Sequence, residues 1–113
     1  MANDQKKNRL AIVIPTKDRP DDLRKLLDSL RSQSRRPDQV IVVDGSNPDV
    51  SHVVAEFREL PLDYVRVYPP SLARQRNAGM ARLAGDITLA GYLDDDIVLE
   101  RDAVEAMMRF WEA

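Results

Sequence analysis

Cysteine is absent from the 113 residues, which excludes disulfides and thiolate metal sites and leaves the redox compartment undetermined. No apolar run approaches the roughly 20 residues that a membrane-spanning helix needs. The polar opening, residues 2–8, also lacks the apolar stretch of a signal peptide, so residues 1–9 are expected to form a flexible tail and the cytoplasm is the default location. Charge of neither sign dominates. Seventeen basic residues stand against nineteen acidic ones, aromatic residues make up 5%, and no basic tract with interleaved aromatics offers a nucleic-acid surface. Arg35 and Arg36 read as the end of a helix and its loop. A chain of this length holds one domain at most, large enough to bury a core.

What is present alternates regularly. Leu10 to Ile14 is an unbroken apolar run closed by Pro15, which predicts a strand covered on both faces. Pro20 suits the first turn of a helix, and Leu23, Leu26, Leu27 and Leu30 form one stripe, so a helix is expected over about 20–33. Val40 to Val43 predicts a second buried strand, and Val50, Val53, Val54 and Phe57 predict a helix over about 49–59, ending before Pro61. Tyr64 to Tyr68 alternates and then meets Pro69-Pro70, the pattern of an edge strand. Ser71 is placed to cap a third helix with Leu72, Arg76, Met80 and Leu83 on one stripe and Gly85 as its stop. Ile87, Leu89, Gly91 and Leu93 alternate with Thr88, Ala90 and Tyr92, which predicts a largely buried fourth strand. A last helix follows, with Val104, Met107, Met108 and Trp111 at helical spacing.

Strands alternating with helices imply parallel pairing through right-handed crossovers. The expected fold class is therefore α/β, a three-layer sandwich around a mainly parallel sheet of about four strands. Ligands of such sheets bind beyond the carboxyl ends of the strands, where the strand order reverses. Three polar clusters follow strands directly: Thr16 to Arg19, Asp44 to Ser46 and Asp94 to Asp96. The last is the hardest to explain as packing. If extended geometry continues through it, Asp94 and Asp96 project to one side and Asp95 to the other. Two adjacent carboxylates repel unless a proton or cation lies between them, and a hard divalent ion carrying a phosphorylated ligand suits such a pair. The plainer alternative is a solvated acidic turn ahead of the last helix.

Four motifs together carry a resemblance: Val13-Ile14-Pro15-Thr16-Lys17-Asp18-Arg19, Ile41-Val42-Val43-Asp44-Gly45-Ser46, Ala73-Arg74-Gln75-Arg76-Asn77-Ala78-Gly79 and Tyr92-Leu93-Asp94-Asp95-Asp96. In this order and spacing they resemble the nucleotide-binding half of family 2 glycosyltransferases, whose fold is the Rossmann-like half of the GT-A class. The resemblance runs from Leu10 to the end of the chain. It implies a nucleotide-diphosphate-sugar donor, such as a UDP-sugar, a divalent metal (Mn2+ or Mg2+), and inverting transfer to an acceptor hydroxyl. By the same resemblance Pro15, Thr16 and Arg19 line the base and ribose pocket, Asp44 meets the uracil ring, and Arg76 and Asn77 match the family's Arg-Asn pair. Asp94 is the ribose-side acid and a metal neighbour, Asp95 belongs to the same nucleotide-binding triplet, and Asp96 ligates the metal.

Each position also has a structural alternative. Asp44 can make an Asx turn with Gly45, Pro15 can simply end a strand, and Asn77 can bond local backbone. His52 has no assigned role. The pattern departs from the family at Val43, where an acid is common, and at Lys17-Asp18, where aromatic-Asn is frequent. In the family the acceptor site and general base lie well downstream of the acid triplet. The resemblance therefore implies that residues 10–113 form a donor-binding domain truncated before its acceptor half, with a carbohydrate or lipid-linked acceptor and the base beyond Ala113. Two other functions are expected alternatives. A nucleotidyltransferase would carry a glycine-rich loop after its first strand, and residues 15–20 contain no glycine. An interaction module could self-associate through Met107, Met108, Phe110 and Trp111 as a homo-oligomer.

Overall fold

A computed structural model describes residues 8–112. The expected tail lies outside them except for its last two residues, which are tied down: the Arg9 amide donates to Thr88 Oγ1 at 2.9 Å, and the Arg9 guanidinium pairs with Asp38 and Asp86. Eight elements alternate as β1 (Leu10–Thr16), α1 (Pro20–Arg31), β2 (Gln39–Asp44), α2 (Ser51–Val54), β3 (Leu62–Arg66), α3 (Leu72–Met80), β4 (Leu89–Tyr92) and α4 (Ala103–Glu112). All four strands pair in parallel, in the order β3-β2-β1-β4.

The period-two alternation of β1 and β2 divides the core into two layers. Leu10, Ile12 and Ile14 with Val40 and Val42 face one side, where Leu23, Leu26, Leu27 and Leu30 of α1, Val53 of α2 and Val104 and Met108 of α4 bury against them. Fully burying each such side chain contributes roughly 1.5–3 kcal/mol. Val13, Ile41 and Val43 face the other side, under α3. The predicted three-layer α/β sandwich is the observed one, and the leucine stripe of α1 is buried throughout.

Buried polar groups fasten the layers. Gln33, just past α1, donates from Nε2 to the carbonyls of Ser29 and Glu100 and accepts the Val104 amide at 3.0 Å, so the end of α1 fixes the start of α4. Leaving such a group unpartnered in the interior would cost about 1–3 kcal/mol.

Four expectations need correction. The helix expected over 49–59 is only the four residues of α2. Beyond it the chain closes in tighter turns, with the Glu56, Phe57 and Leu60 amides each bonding the carbonyl three residues back, and these still bury Phe57 and Leu60. Gly85 does not end α3, which stops at Ala81 in ordinary helical conformation. The stripe expected on α3 is also the wrong face: Leu72, Arg76 and Met80 are exposed, and the helix packs through Gln75, Ala78, Gly79 and, just past it, Leu83. Finally, β4 is largely exposed rather than buried, because it is the outer strand beside β1 and α3 lies across β1 and β2 instead.

Gly79 shows why α3 packs as it does. A Cβ built there would stand 2.3 Å from Val13 Cγ1 and 3.1 Å from Val43 Cγ2, so only hydrogen fits between helix and sheet. Gly79→Ala is expected to destabilise the fold by about 1–3 kcal/mol, the usual range for overpacking. Gly85→Ala, with open space around it, should change stability by less than about 1 kcal/mol. Urea unfolding of the two variants checks the contrast; equal effects would contradict the packing.

Candidate functional site

Strand order places the site before any side chain is considered. The chain steps outward from β1 to β2 to β3 on one side, then returns through α3 to lay β4 on the other side of β1. The order therefore reverses between β1 and β4, and a crevice opens beyond their carboxyl ends. A cleft of about 500 Å3 lies there. Pro15, Thr16, Lys17 and Arg19 line it from the end of β1, Asp94, Asp95 and Asp96 from the end of β4, and Ser71, Leu72 and Gln75 from the start of α3.

Thr16 holds these pieces in place. Its carbonyl accepts the Gly45 amide at 2.9 Å and Gln75 Nε2 at 3.0 Å, while the same Gln75 nitrogen reaches the Val43 carbonyl at 2.9 Å. The Thr16 hydroxyl donates to Asp95 Oδ2 at 2.8 Å, a buried bond, and Arg19 pairs with the other oxygen of Asp95 at 3.4 Å. Gln75 is a site residue that motif reading missed. The available signal was its spacing of four from Gly79, which puts both on the face of α3 turned to the sheet.

The acid triplet sets Asp95 apart from Asp94 and Asp96, as expected, but through a turn and not through extended backbone. Extended geometry ends at Tyr92 and the chain turns at Asp95 and Asp96, so the middle acid points inward at 7% exposure while Asp94 and Asp96 stay exposed along the cleft. Among the described residues no three ligating side chains gather as a metal site. Two exposed carboxylates nonetheless fit a magnesium-type ion, which takes one or two protein carboxylates and completes its shell with phosphate oxygens and water. Lys17 and Arg19, which line the same cleft, add positive charge suited to a phosphorylated ligand.

Three expected residues lie outside the cleft. Asp44 is fully buried, and its carboxylate accepts the Ser46 amide at 2.8 Å, the Val50 amide at 2.7 Å and the Tyr64 hydroxyl at 2.6 Å. That is the Asx-turn alternative, extended to lock the β2–α2 loop. Arg76 stacks its guanidinium over the Tyr92 ring at 5.1 Å on the exposed side of α3. Asn77 is exposed on the same helix. The neighbouring loops are stitched together: Asp18, whose φ of 55° is left-handed, donates its amide to Ser46 Oγ and accepts the Asn47 amide on its carboxylate. Asp and Asn tolerate that conformation better than most residues.

Burial, and then the hydrogen bond to Asp44, push the Tyr64 phenol well above its ordinary value. A group whose pKa is raised on folding stabilises the fold below its unfolded pKa and loses that contribution as pH rises. Wild-type thermal stability should therefore fall above about pH 10, where the unfolded phenol ionises. Tyr64→Phe should start lower, by about 1–2 kcal/mol, and show a shallower decline. Melting curves from pH 8 to 11 test this, and parallel declines would refute the linkage.

Comparison with known proteins adds to this geometry. Residues 11–113 match the family model described as Glycosyl transferase family 2. The chain is 27% identical over 105 residues to glycosyltransferase GlyA of Streptococcus pneumoniae, covering 90% of this chain and 15% of that protein. It is 30% identical over 102 residues to the uncharacterized glycosyltransferase YwdF of Bacillus subtilis, covering 89% and 37%. The chain thus spans well under half the length of these relatives. Among solved structures, S. aureus TarS superposes with a TM-score of 0.80 at 20% identity, over 92% of this chain and 19% of that one. Its 1–349 portion has been solved with UDP and with UDP-GlcNAc, and these superpose with TM-scores of 0.80 and 0.74 at 20% and 21% identity, over 92% of this chain and 32% and 31% of those. These likenesses show the fold, that of the GT-A glycosyltransferases.

Proposed function

The chain belongs to glycosyltransferase family 2, and from that premise we propose that its cleft binds the nucleotide-diphosphate part of a sugar donor. One observation carries the reading: at the reversal of strand order, two exposed carboxylates just past β4 share one cleft with two cationic side chains just past β1. A diphosphate needs both partners. Lys17 and Arg19 complement its charge directly, and Asp96 with Asp94 would hold a divalent cation, Mn2+ or Mg2+, against its oxygens. When bound, such an ion neutralises the charge that develops on the departing diphosphate as the glycosidic bond breaks. Pro15 and Thr16 form the wall beside the base and ribose. That solved relatives of the same fold carry UDP and UDP-GlcNAc supports a uridine donor.

In the whole protein the proposed reaction is transfer of the sugar, with inversion, to a hydroxyl of a carbohydrate or lipid-linked acceptor. Among the described residues the only acids lining the cleft are the triplet itself, so acceptor deprotonation is assigned to none of the others. The proposed compartment is the cytoplasm, where nucleoside triphosphates charge such donors. Among the described residues no helix is long and apolar enough to cross a membrane.

A second reading, self-association, is favoured by α4, where Phe110 and Trp111 are 78% and 60% exposed with their rings edge to face at 6.0 Å. Met108, expected in the same patch, is instead buried. Sedimentation of wild type and Trp111→Glu distinguishes the cases: a monomer at every concentration in both rejects this second reading.

Donor binding is tested by calorimetric titration of UDP with and without Mn2+. Wild type should bind in a metal-dependent manner, and Asp96→Ala should weaken that binding at least about tenfold, the lower end of what even outer-shell metal partners contribute. Equal binding by the variant, or none by either, would remove the metal assignment.

A further inference from the structure

The middle acid of the triplet is the one that the cleft does not leave free. Asp95 is buried, with one oxygen on the Thr16 hydroxyl at 2.8 Å and the other facing Arg19 at 3.4 Å, whereas Asp94 and Asp96 on either side are exposed. We propose that Asp95 is a positioning residue, a latch joining the loop after β1 to the turn after β4, and that it sets donor affinity without touching the donor. The inference rests on the donor-binding reading for what the cleft holds, but the latch itself is independent of it.

Three features of the structure make Asp95 a latch rather than a ligand. The first is occupancy: both oxygens of Asp95 already face protein donors, and its burial removes it from solvent. The second is the anchor. Thr16 is itself held by Gly45 and Gln75 through its carbonyl, so its hydroxyl is a fixed point and not part of a mobile loop. The third is the geometry that follows. Pinning the middle residue inward leaves its two neighbours outward, which is how Asp94 and Asp96 come to line the cleft together with Lys17 and Arg19. The Asp95 pairing also restrains Arg19, which is otherwise more than half exposed and without a second ion-pair partner among those described. One carboxylate thereby orders the cationic wall and the acidic wall together.

The test is a mutant cycle on the intact chain with UDP and Mn2+ as the probe. Asp95→Ala and Thr16→Val should each weaken UDP binding about tenfold, and the double variant should be little worse than either, because both remove the same bond. Hydrogen exchange supplies a second readout: amides of residues 16–19 and 94–97 should speed up together in both single variants. If Asp95→Ala does not fold, Asp95→Asn, which removes the charge facing Arg19 and keeps an oxygen for the Thr16 hydroxyl, takes its place with the same direction expected. The proposal is overturned if Asp95→Ala or Asp95→Asn binds like wild type, if the double variant loses the sum of the two single losses, or if exchange changes in one segment alone. Should wild type bind no UDP, the donor reading fails by itself and the latch is judged on exchange, where paired acceleration sustains it and acceleration of one segment defeats it.

Discussion

A single threonine at the end of the central strand is the point through which the cleft is assembled. The carbonyl of Thr16 ties in β2 through Gly45 and α3 through Gln75, and its hydroxyl ties in the turn after β4 through Asp95. Three elements separated by dozens of residues are thus held against one residue. These bonds are buried, so breaking any one leaves a polar group without water to replace its partner. The rim is rigid where the ligand-facing groups are mounted, and those groups, Lys17, Arg19, Asp94 and Asp96, are the side chains left pointing outward.

The same economy appears one layer below. Asp44 stands where the family resemblance places a base-binding acid, and its oxygens accept from Ser46, Val50 and Tyr64, which stabilises the loop after β2. Ser46 then meets Asp18, and the two polar loops brace each other. The substitution of Asp for the frequent Asn at position 18 is structurally mild, because either residue accommodates a left-handed φ. Lys17 in place of an aromatic is the larger change, since it exchanges a flat apolar surface for a charge beside a cleft suited to diphosphate.

The sheet is asymmetric, and exposure follows from that. Both central strands are covered on two faces, but β4 pairs on one side only and α3 does not extend across it. Tyr92 finds a partner in Arg76, and the aromatic pair of α4 remains open. Alternating hydrophobicity around Leu89 reported a strand correctly and its burial incorrectly. Pattern encodes which residues share a face; it carries no information on whether anything covers that face.

The sequence by itself determined the element order, the two buried strands, the leucine face of α1 and the grouping of polar clusters at strand ends. These are legible because each depends on periodicity within a dozen residues or on a local breaker such as Pro15 or Pro20. Four motifs in register were enough to indicate the family. Only the tertiary structure decided that α3 packs through Gly79 and Gln75, that β4 is outermost, that Asp44 is committed to the fold, and that the inward acid is Asp95. The physical reason is common to all four. Each depends on a partner far along the chain, Val13 for Gly79, Tyr64 for Asp44 and Thr16 for Asp95, and spacing within a segment does not specify the partner with which its side chains will be paired.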